Sequence, residues 1–173
     1  DPDDPDKTVS NRLDMMQRLM LNKESLLDII QNFTEYESDG NKTIKKIAQQ
    51  HQYLGVKAAV KRTLEVYPQK GDNKIGVIWH TTGSGKSLTM ILYTNIVSQI
   101  KEFENPTFVI LTDRKDLDEQ LGNFFEVAGF PYPKPKTAIL EADSIVDLRE
   151  KLAVPAGKII FTTIQKFQTT QDE

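Results

Sequence analysis

The chain has 173 residues, 38% of them hydrophobic and 27% charged, which fits one globular domain with an extension or a slice of a larger protein. Its 22 basic and 25 acidic residues give a net charge of -3, so contact with nucleic acid requires a local basic patch. The absence of cysteine excludes disulfides and thiolate metal sites. No apolar run approaches the roughly 20 residues of a membrane span, and we expect a cytoplasmic protein with no membrane partner.

The first part of the chain is predicted to be an acidic linker followed by helices. The opening residues 1–6 contain only Asp and Pro, so they have no apolar face to bury. Apolar residues then recur at helical spacing over residues 13–33 and again over 44–64, and Pro68 ends the pattern. We therefore expect roughly the first 68 residues to be helical and to carry no catalytic cluster.

Beyond residue 73, short apolar runs alternate with helical patterns, as in a parallel sheet whose strands are joined by helices. The predicted strands are residues 75–79, 108–111, 137–140 and 158–162. The predicted helices are residues 87–102, 116–127 and 144–152, the last of them capped by Asp143 or Ser144. The alternation predicts an α/β fold with a parallel sheet.

Residues 80–87, His-Thr-Thr-Gly-Ser-Gly-Lys-Ser, join the first predicted strand to its helix and have the form of a phosphate loop. Gly83 and Gly85 let successive backbone N–H groups point at one spot, where the N-terminus of the helix adds its positive dipole end. We expect that spot to hold the β-phosphate of a nucleotide. The predicted cofactor-binding residues of the loop are Thr82, Gly83, Ser84, Gly85, Lys86 and Ser87.

Two side chains at the start of this helix are predicted to act on the nucleotide. Lys86 is the expected catalytic cation, spanning the β- and γ-phosphates, and the Ser87 hydroxyl is the expected magnesium ligand, so ATP and Mg²⁺ are the predicted cofactors. His80 stands where the loop usually has its first glycine. A bulky residue there is compatible with some nucleic-acid motors, and we interpret this imidazole as structural rather than catalytic.

Four ordered segments of the chain resemble the restriction (R) subunit of type I restriction-modification enzymes, a superfamily 2 helicase-like DNA translocase. These segments are residues 43–53, 77–90, 109–121 and 159–167. The resemblance implies a RecA-like parallel sheet with a phosphate loop, the partial first lobe of a motor, preceded by a helical segment. It places that lobe at residues 43–173, truncated before the Asp-Glu-Ala-His box, with residues 1–42 as a linker and helices leading into it.

The same resemblance implies a function for the parent protein, an ATP-dependent type I site-specific deoxyribonuclease. That enzyme couples ATP hydrolysis to translocation and cleavage of double-stranded DNA, and its partners are DNA and the methylation and specificity subunits. Gln52 matches the adenine-reading glutamine of superfamily 2 helicases, since its amide can both donate to N7 and accept from the N6-amino group. Lacking the acidic box and the second lobe, the fragment alone is expected to be inactive.

Polar residues at the ends of two predicted strands suggest where DNA would bind. The motor interpretation assigns backbone contacts with DNA to Arg114, Lys115, Thr163, Gln165 and Lys166. Asp113 leaves other interpretations open, because an acid after a buried strand can hold magnesium in a small phosphate-loop kinase, and Asp-x-Lys also occurs in nuclease cores. The alternatives are therefore a self-contained kinase-like nucleotide-binding domain and a nonenzymatic docking fragment. Strand order distinguishes the motor from the kinase.

Overall fold

A computed structural model describes residues 17–18, 20–38, 42–67, 74–113, 125, 139–153 and 155–167 of the chain. Within these ranges the helices are α1 (Lys23–Asn32), α2 (Gln50–Val66), α3 (Lys86–Ser98) and α4 (Ile145–Leu152). The strands are β1 (Thr34–Ser38), β2 (Thr43–Ile47), β3 (Phe108–Thr112), β4 (Ile139–Glu141) and β5 (Ile159–Thr163). Short 3₁₀ helices follow α3 and β5, at Lys101–Phe103 and Ile164–Phe167. No helix in the described ranges is both long and apolar enough to cross a membrane.

The β1–β2 hairpin corrects the prediction that roughly the first 68 residues are helical. The two strands pair antiparallel, with Thr34 opposite Ile47. The sequence pattern concealed β1 because its inward residue is polar. Glu35 is 6% exposed and accepts a hydrogen bond of 2.7 Å from Asn95 of α3. The predicted domain boundary at residues 42 and 43 falls between these paired strands, and the division into two units stays a prediction.

The parallel sheet has the strand order β3–β5–β4. Phe108 and Ile139 both lie beside Ile159, so β5 is paired on both edges. All five residues of β5 are buried, as expected for a central strand covered on both faces. The predicted strands at 108–111, 137–140 and 158–162 are thereby confirmed to within two residues at each end. This is a mixed α/β architecture consistent with a RecA-like lobe.

The predicted strand at residues 75–79 is not formed. Val77 and Trp79 are each 89% exposed, and no described strand pairs with this segment. Gly76 lies at a φ of 126°, outside the β region that a regular strand needs. An apolar run alone is not enough for a strand, because the extended backbone is stabilised mainly by pairing with a neighbour.

Helix α3 lies at the centre of the packing. On one side Leu92 packs in a buried cluster with Tyr53 and Val56 of α2, and the Thr63 hydroxyl lies 2.8 Å from that of Tyr93. On the other side Ile91 packs against the sheet. The helix that follows the glycine-rich loop at residues 80–85 is therefore held between α2 and the parallel sheet, which fixes where the loop can lie.

Helix α4 illustrates a boundary that local chemistry predicts well. The Ser144 hydroxyl accepts a hydrogen bond of 3.1 Å from the backbone N–H of Asp147, which confirms Ser144 as the cap. Leu148 of this helix is buried against Ile160 of β5. The predicted linker at residues 1–6 and, apart from residue 125, the predicted helix 116–127 lie outside the described residues.

Candidate nucleotide-binding site

The loop before α3 is a tight turn that depends on two glycines. Gly83 and Gly85 have φ angles of 79° and 80°, in the left-handed region where a side chain is unfavourable. The turn is closed by Ser84, whose backbone N–H and hydroxyl both donate to the Thr81 carbonyl oxygen, at 3.3 Å and 2.7 Å. Alternation of this kind is the backbone pattern of anion-binding nests, and in this turn the Ser84 N–H is already bonded to Thr81.

The N-terminus of α3 carries no side-chain cap. Gly85 occupies the N-cap position, and the first turn contains no acidic residue. The first N–H groups of a helix have no partner within the helix, and here no capping side chain accepts from them. A helix N-terminus of this kind favours a phosphate through both hydrogen bonding and the helix dipole.

Lys86 folds over the loop that precedes it. Its ammonium donates to the carbonyl oxygens of His80 and Thr81, at 3.0 Å and 2.9 Å. The side chain is exposed, so these two bonds are made at the surface. The cation is thus already beside the loop, at the position where the charge of a phosphate would be compensated.

Gln52 connects α2 to the loop. Its Nε2 donates to the carbonyl oxygens of Ser84 and Gly85, at 3.3 Å and 3.0 Å, and its Oε1 accepts from the backbone N–H of Gln49 at 2.8 Å. The side chain is 2% exposed. Both ends of the amide are therefore engaged with the protein, and contact with adenine requires the amide to exchange these partners for the base.

A cavity of about 650 Å³ opens beside the loop, a size typical of small-ligand sites. Every predicted cofactor-binding residue lines it: Gln52, Thr82, Gly83, Ser84, Gly85, Lys86 and Ser87. Lys46, Ile47 and Gln49 also line the cavity, and the sequence did not predict them as site residues. These residues belong to β2 and the segment entering α2, and they were not predicted as site residues because a helix was predicted in place of β2. Their position just before Gln52 is the one feature of the sequence that could have indicated a place beside the loop.

A second cavity, of about 630 Å³, lies at the carboxyl ends of β3 and β5, where ligands of parallel sheets usually bind. Its lining includes three predicted DNA contacts together with Asp113 and the start of α4: Asp113, Ser144, Ile145, Val146, Thr163, Gln165 and Lys166. The structure thus brings Thr163, Gln165 and Lys166 to one place. Arg114 and Lys115 lie outside the described residues.

The three residues differ in how they face the second cavity. Thr163 is 4% exposed, whereas Gln165 is exposed and donates to the Asp113 carbonyl oxygen at 3.3 Å. Lys166 is half-buried and its ammonium donates to the Ala142 carbonyl oxygen. Nearby, hydrogen bonds from the Lys151 ammonium and a backbone N–H lower the pKa of Asp147, and the charge of Lys166 adds to this effect. The edge therefore mixes cations with an ionised carboxylate.

The fold and the loop define a mixed α/β protein consistent with a RecA-like lobe. The chain belongs to the SWI2/SNF2 ATPase family, which it matches over residues 51–173. It is also similar to several endonuclease subunits of type I restriction enzymes, at 30% to 41% identity over most of the chain. The resemblance inferred from the four sequence segments is thereby confirmed.

Three of these relatives show how much of each protein is matched. The type I restriction enzyme HindI endonuclease subunit of Haemophilus influenzae is 41% identical over 97% of this chain and 16% of its own length. A provisionally named MjaIXP endonuclease subunit of Methanocaldococcus jannaschii is 36% identical over 93% of the chain and 15% of its own. A provisionally named MpnIIP endonuclease subunit, C-terminal part, of Mycoplasma pneumoniae is 30% identical over 95% of the chain and 79% of its own.

Proposed function

We propose that this chain is the ATP-binding part of a type I restriction enzyme motor subunit. In the intact complex that subunit would couple ATP hydrolysis to translocation and cleavage of double-stranded DNA. Its partners would be duplex DNA and the methylation and specificity subunits, and a cytoplasmic location remains our prediction. The SWI2/SNF2 family membership and the type I endonuclease relatives support this proposal.

One observation carries the nucleotide assignment, namely the uncapped N-terminus of α3 behind a loop with two left-handed glycines. Backbone N–H groups and the helix dipole favour a phosphate there, and Lys86 supplies a full positive charge at the same place. The adjoining cavity has room for the rest of a nucleotide. The donors present therefore fit ATP with Mg²⁺.

The loop backbone, Lys86 and Ser87 would have distinct roles in this mechanism. The N–H groups of the loop would hold the β-phosphate, and Lys86 would move from the His80 and Thr81 carbonyl oxygens onto phosphate oxygens. Ser87 would hold Mg²⁺, which when bound compensates charge on the β- and γ-phosphates. Lys86 would thus stabilise the charge that develops during transfer to water, which makes it the catalytic residue in this chain.

Gln52 would select the base. Its Nε2 would donate to adenine N7 and its Oε1 would accept from the N6-amino group, which guanine cannot offer. In the structure the same atoms bond to the loop and to Gln49, so binding of the base would be coupled to a local change in α2 and the loop.

The second cavity would contact the DNA backbone. Gln165 and Lys166 present donors at the carboxyl end of the sheet, and Thr163 lines the same space. Phosphate contacts of this kind position a protein on duplex DNA without reading its sequence. The kinase alternative finds no support in the strand pairing, because β3 pairs only with β5 among the described strands and residues 75–79 pair with none.

Nucleotide binding to the chain tests the proposal directly. Trp79 is the only tryptophan in the sequence and directly precedes the loop, so energy transfer from it to N-methylanthraniloyl-ADP reports binding. Lys86→Ala should weaken binding by about tenfold to a hundredfold, because charged hydrogen bonds are lost. Lys101→Ala removes an exposed lysine beyond the end of α3 and is the matched control. Equal affinities of the two variants would reject the phosphate site.

The motor part of the proposal requires the complete protein with its partner subunits. We expect ATP hydrolysis that depends on duplex DNA and is abolished by Lys86→Ala. Hydrolysis at the same rate without DNA would contradict a translocase while leaving the nucleotide site intact.

A further inference from the structure

Two histidine rings lie between α2 and the phosphate loop. His51 is in the first turn of α2, and His80 directly precedes the turn that begins at Thr81. Their ring centroids are 4.9 Å apart at an interplanar angle of 81°, an edge-to-face contact. The Nε2 of His51 also lies 3.1 Å from the carbonyl oxygen of Ser84. Because a carbonyl can only accept, this nitrogen must carry the proton.

The ring of His80 lies against α2 at a position without a side chain. A β-carbon placed on Gly55 would be 3.6 Å from the Nε2 of His80, so the ring covers this part of the helix surface. The Nδ1 of His80 is buried and has no hydrogen-bond partner within the described residues. Packing rather than hydrogen bonding therefore holds this ring, and it in turn supports His51.

The bond from His51 helps to fix which way a peptide group of the loop faces, since the Ser84 oxygen accepts from His51 at 3.1 Å and from Gln52 at the longer distance of 3.3 Å. The C=O of Ser84 and the N–H of Gly85 belong to one trans peptide and point in opposite directions. When α2 holds the carbonyl, the N–H of Gly85 is turned away from α2. Orientation of that N–H is what a phosphate-binding loop must fix before the nucleotide arrives.

We propose that His51 is a positioning residue for the nucleotide, holding the Ser84 peptide in its binding orientation while His80 supports the imidazole ring. This inference rests on the proposed nucleotide site and extends it to a residue outside the loop motif. His51 would not touch the phosphates. Its contribution would be to reduce the ordering that the loop must undergo on binding, and it would therefore act on affinity rather than on the rate of hydrolysis.

The surroundings of His51 separate this role from a purely structural one. His51 is exposed, whereas the contact between α2 and α3 rests on the buried residues Tyr53, Val56 and Leu92. Gln52 also holds the loop, through its bond of 3.0 Å to the Gly85 oxygen and a longer bond of 3.3 Å to the Ser84 oxygen that His51 contacts. Loss of the His51 bond should therefore leave the fold intact and change only the loop.

Two substitutions distinguish the hydrogen bond from the ring contact. His51→Phe keeps a ring against His80 and removes the N–H donor, whereas His51→Gln places an amide N–H at a similar reach. Arg62→Ala, an exposed position near the other end of α2, is the control. The readouts are affinity for N-methylanthraniloyl-ADP with Mg²⁺, the urea unfolding midpoint, and KM and kcat for ATP in the complete protein.

We expect His51→Phe to weaken binding and raise KM by about fivefold to tenfold, the value of one neutral hydrogen bond, with kcat and the unfolding midpoint unchanged. His51→Gln should remain within about twofold of the parent chain. The inference is overturned if His51→Phe binds nucleotide with the affinity of the parent chain. It is also overturned if His51→Gln binds as weakly as His51→Phe, or if the urea unfolding midpoint falls in both variants. If Lys86→Ala also binds normally, the nucleotide site itself fails, and if only Lys86→Ala loses binding, the His51 role alone fails.

Discussion

The Nε2 of Gln52 lies 3.0 Å from the carbonyl oxygen of Gly85 and would lie only 2.5 Å from a β-carbon at that residue. Position 85 therefore needs glycine for two separate reasons, its φ of 80° and the close approach of a buried amide. Gly83 shares the first reason only, since nothing lies within 4 Å of a β-carbon placed there. The two glycines thus form a matched pair for experiment.

Gly85→Ala should destabilise the chain more than Gly83→Ala. Gly83→Ala should cost about 1–2 kcal/mol from the left-handed backbone alone. Gly85→Ala carries the same cost and also displaces Gln52, so its free energy of unfolding should be lower still and its nucleotide affinity should fall further. Urea unfolding and N-methylanthraniloyl-ADP titration measure both effects. Equal free energies of unfolding and equal nucleotide affinities for the two variants would contradict the close contact between Gln52 and residue 85.

Gln52→Ala should reduce discrimination between ATP and GTP. The variant loses the amide that we assign to adenine and also the two bonds to the loop, so affinity for both nucleotides should decrease. The loss should be greater for ATP, because guanine does not use the base contact. Competition of ATP and GTP against the fluorescent ADP gives the ratio. If the ratio of ATP to GTP affinity is unchanged while both nucleotides bind more weakly, Gln52 supports the loop and does not contact the base.

Asp28 should contribute stability that is lost in acid. Burial by itself would raise the pKa of this carboxyl, but hydrogen bonds from Asn32, Lys57 and Tyr53 outweigh it and hold the pKa below its usual range. Two of these bonds join α1 to α2: the Lys57 ammonium donates to the Asp28 carboxylate at 2.8 Å, and the Tyr53 hydroxyl donates to it at 3.1 Å. A lowered folded-state pKa gives stability that is complete above the unfolded-state pKa of about 4 and is lost as pH falls through the folded-state pKa.

Replacing this carboxyl should remove that part of the pH dependence. Asp28→Asn should be less stable than the parent at pH 7, and the difference should shrink as pH falls below about 4. Glu65→Gln, at an exposed ion pair with Arg62 near the end of α2, is the control. Urea unfolding midpoints across this range are the measurement. A difference that stays constant with pH would show that the Asp28 bonds do not depend on its charge.

Lys166→Ala should weaken DNA binding without changing sequence preference. Loss of one phosphate contact should reduce the slope of log affinity against log salt by about 1. Lys101→Ala, in the 3₁₀ helix that follows α3, should leave the slope unchanged. Anisotropy of a labelled duplex, titrated at several salt concentrations with the complete protein, gives both slopes. Identical slopes for Lys166→Ala and the parent would remove this edge from the DNA interface.

The sequence predicted best where local chemistry and burial agree. Ser144 caps α4 as expected, and β5 is continuously apolar until Thr162, as a doubly covered strand should be. The tight turn before α3 was also predictable, because its left-handed backbone requires Gly83 and Gly85, and phosphate binding by this turn stays a prediction. In these segments the structure is determined by residues close together in the sequence, so the local pattern of residue types predicts it.

The prediction failed where a distant partner sets the structure. Glu35 points inward because the side-chain amide of Asn95, sixty residues later, donates a hydrogen bond to its carboxylate, and no local rule anticipates a buried carboxylate in a strand. Residues 75–79 look like a strand by composition but have no paired neighbour among the described strands. His51 escaped notice for the same reason, since its partner Ser84 lies far along the chain.

The attachment of α2 to the loop is made to main-chain oxygens. His51 and Gln52 bond to carbonyl groups of Ser84 and Gly85, so the attachment does not depend on the identity of the side chain at residue 84. The side chain at residue 84, which lines the proposed nucleotide site, can therefore vary while the anchoring from α2 persists. Natural variation at residue 84 combined with constancy at 51 and 52 is the pattern that this arrangement would leave in related sequences.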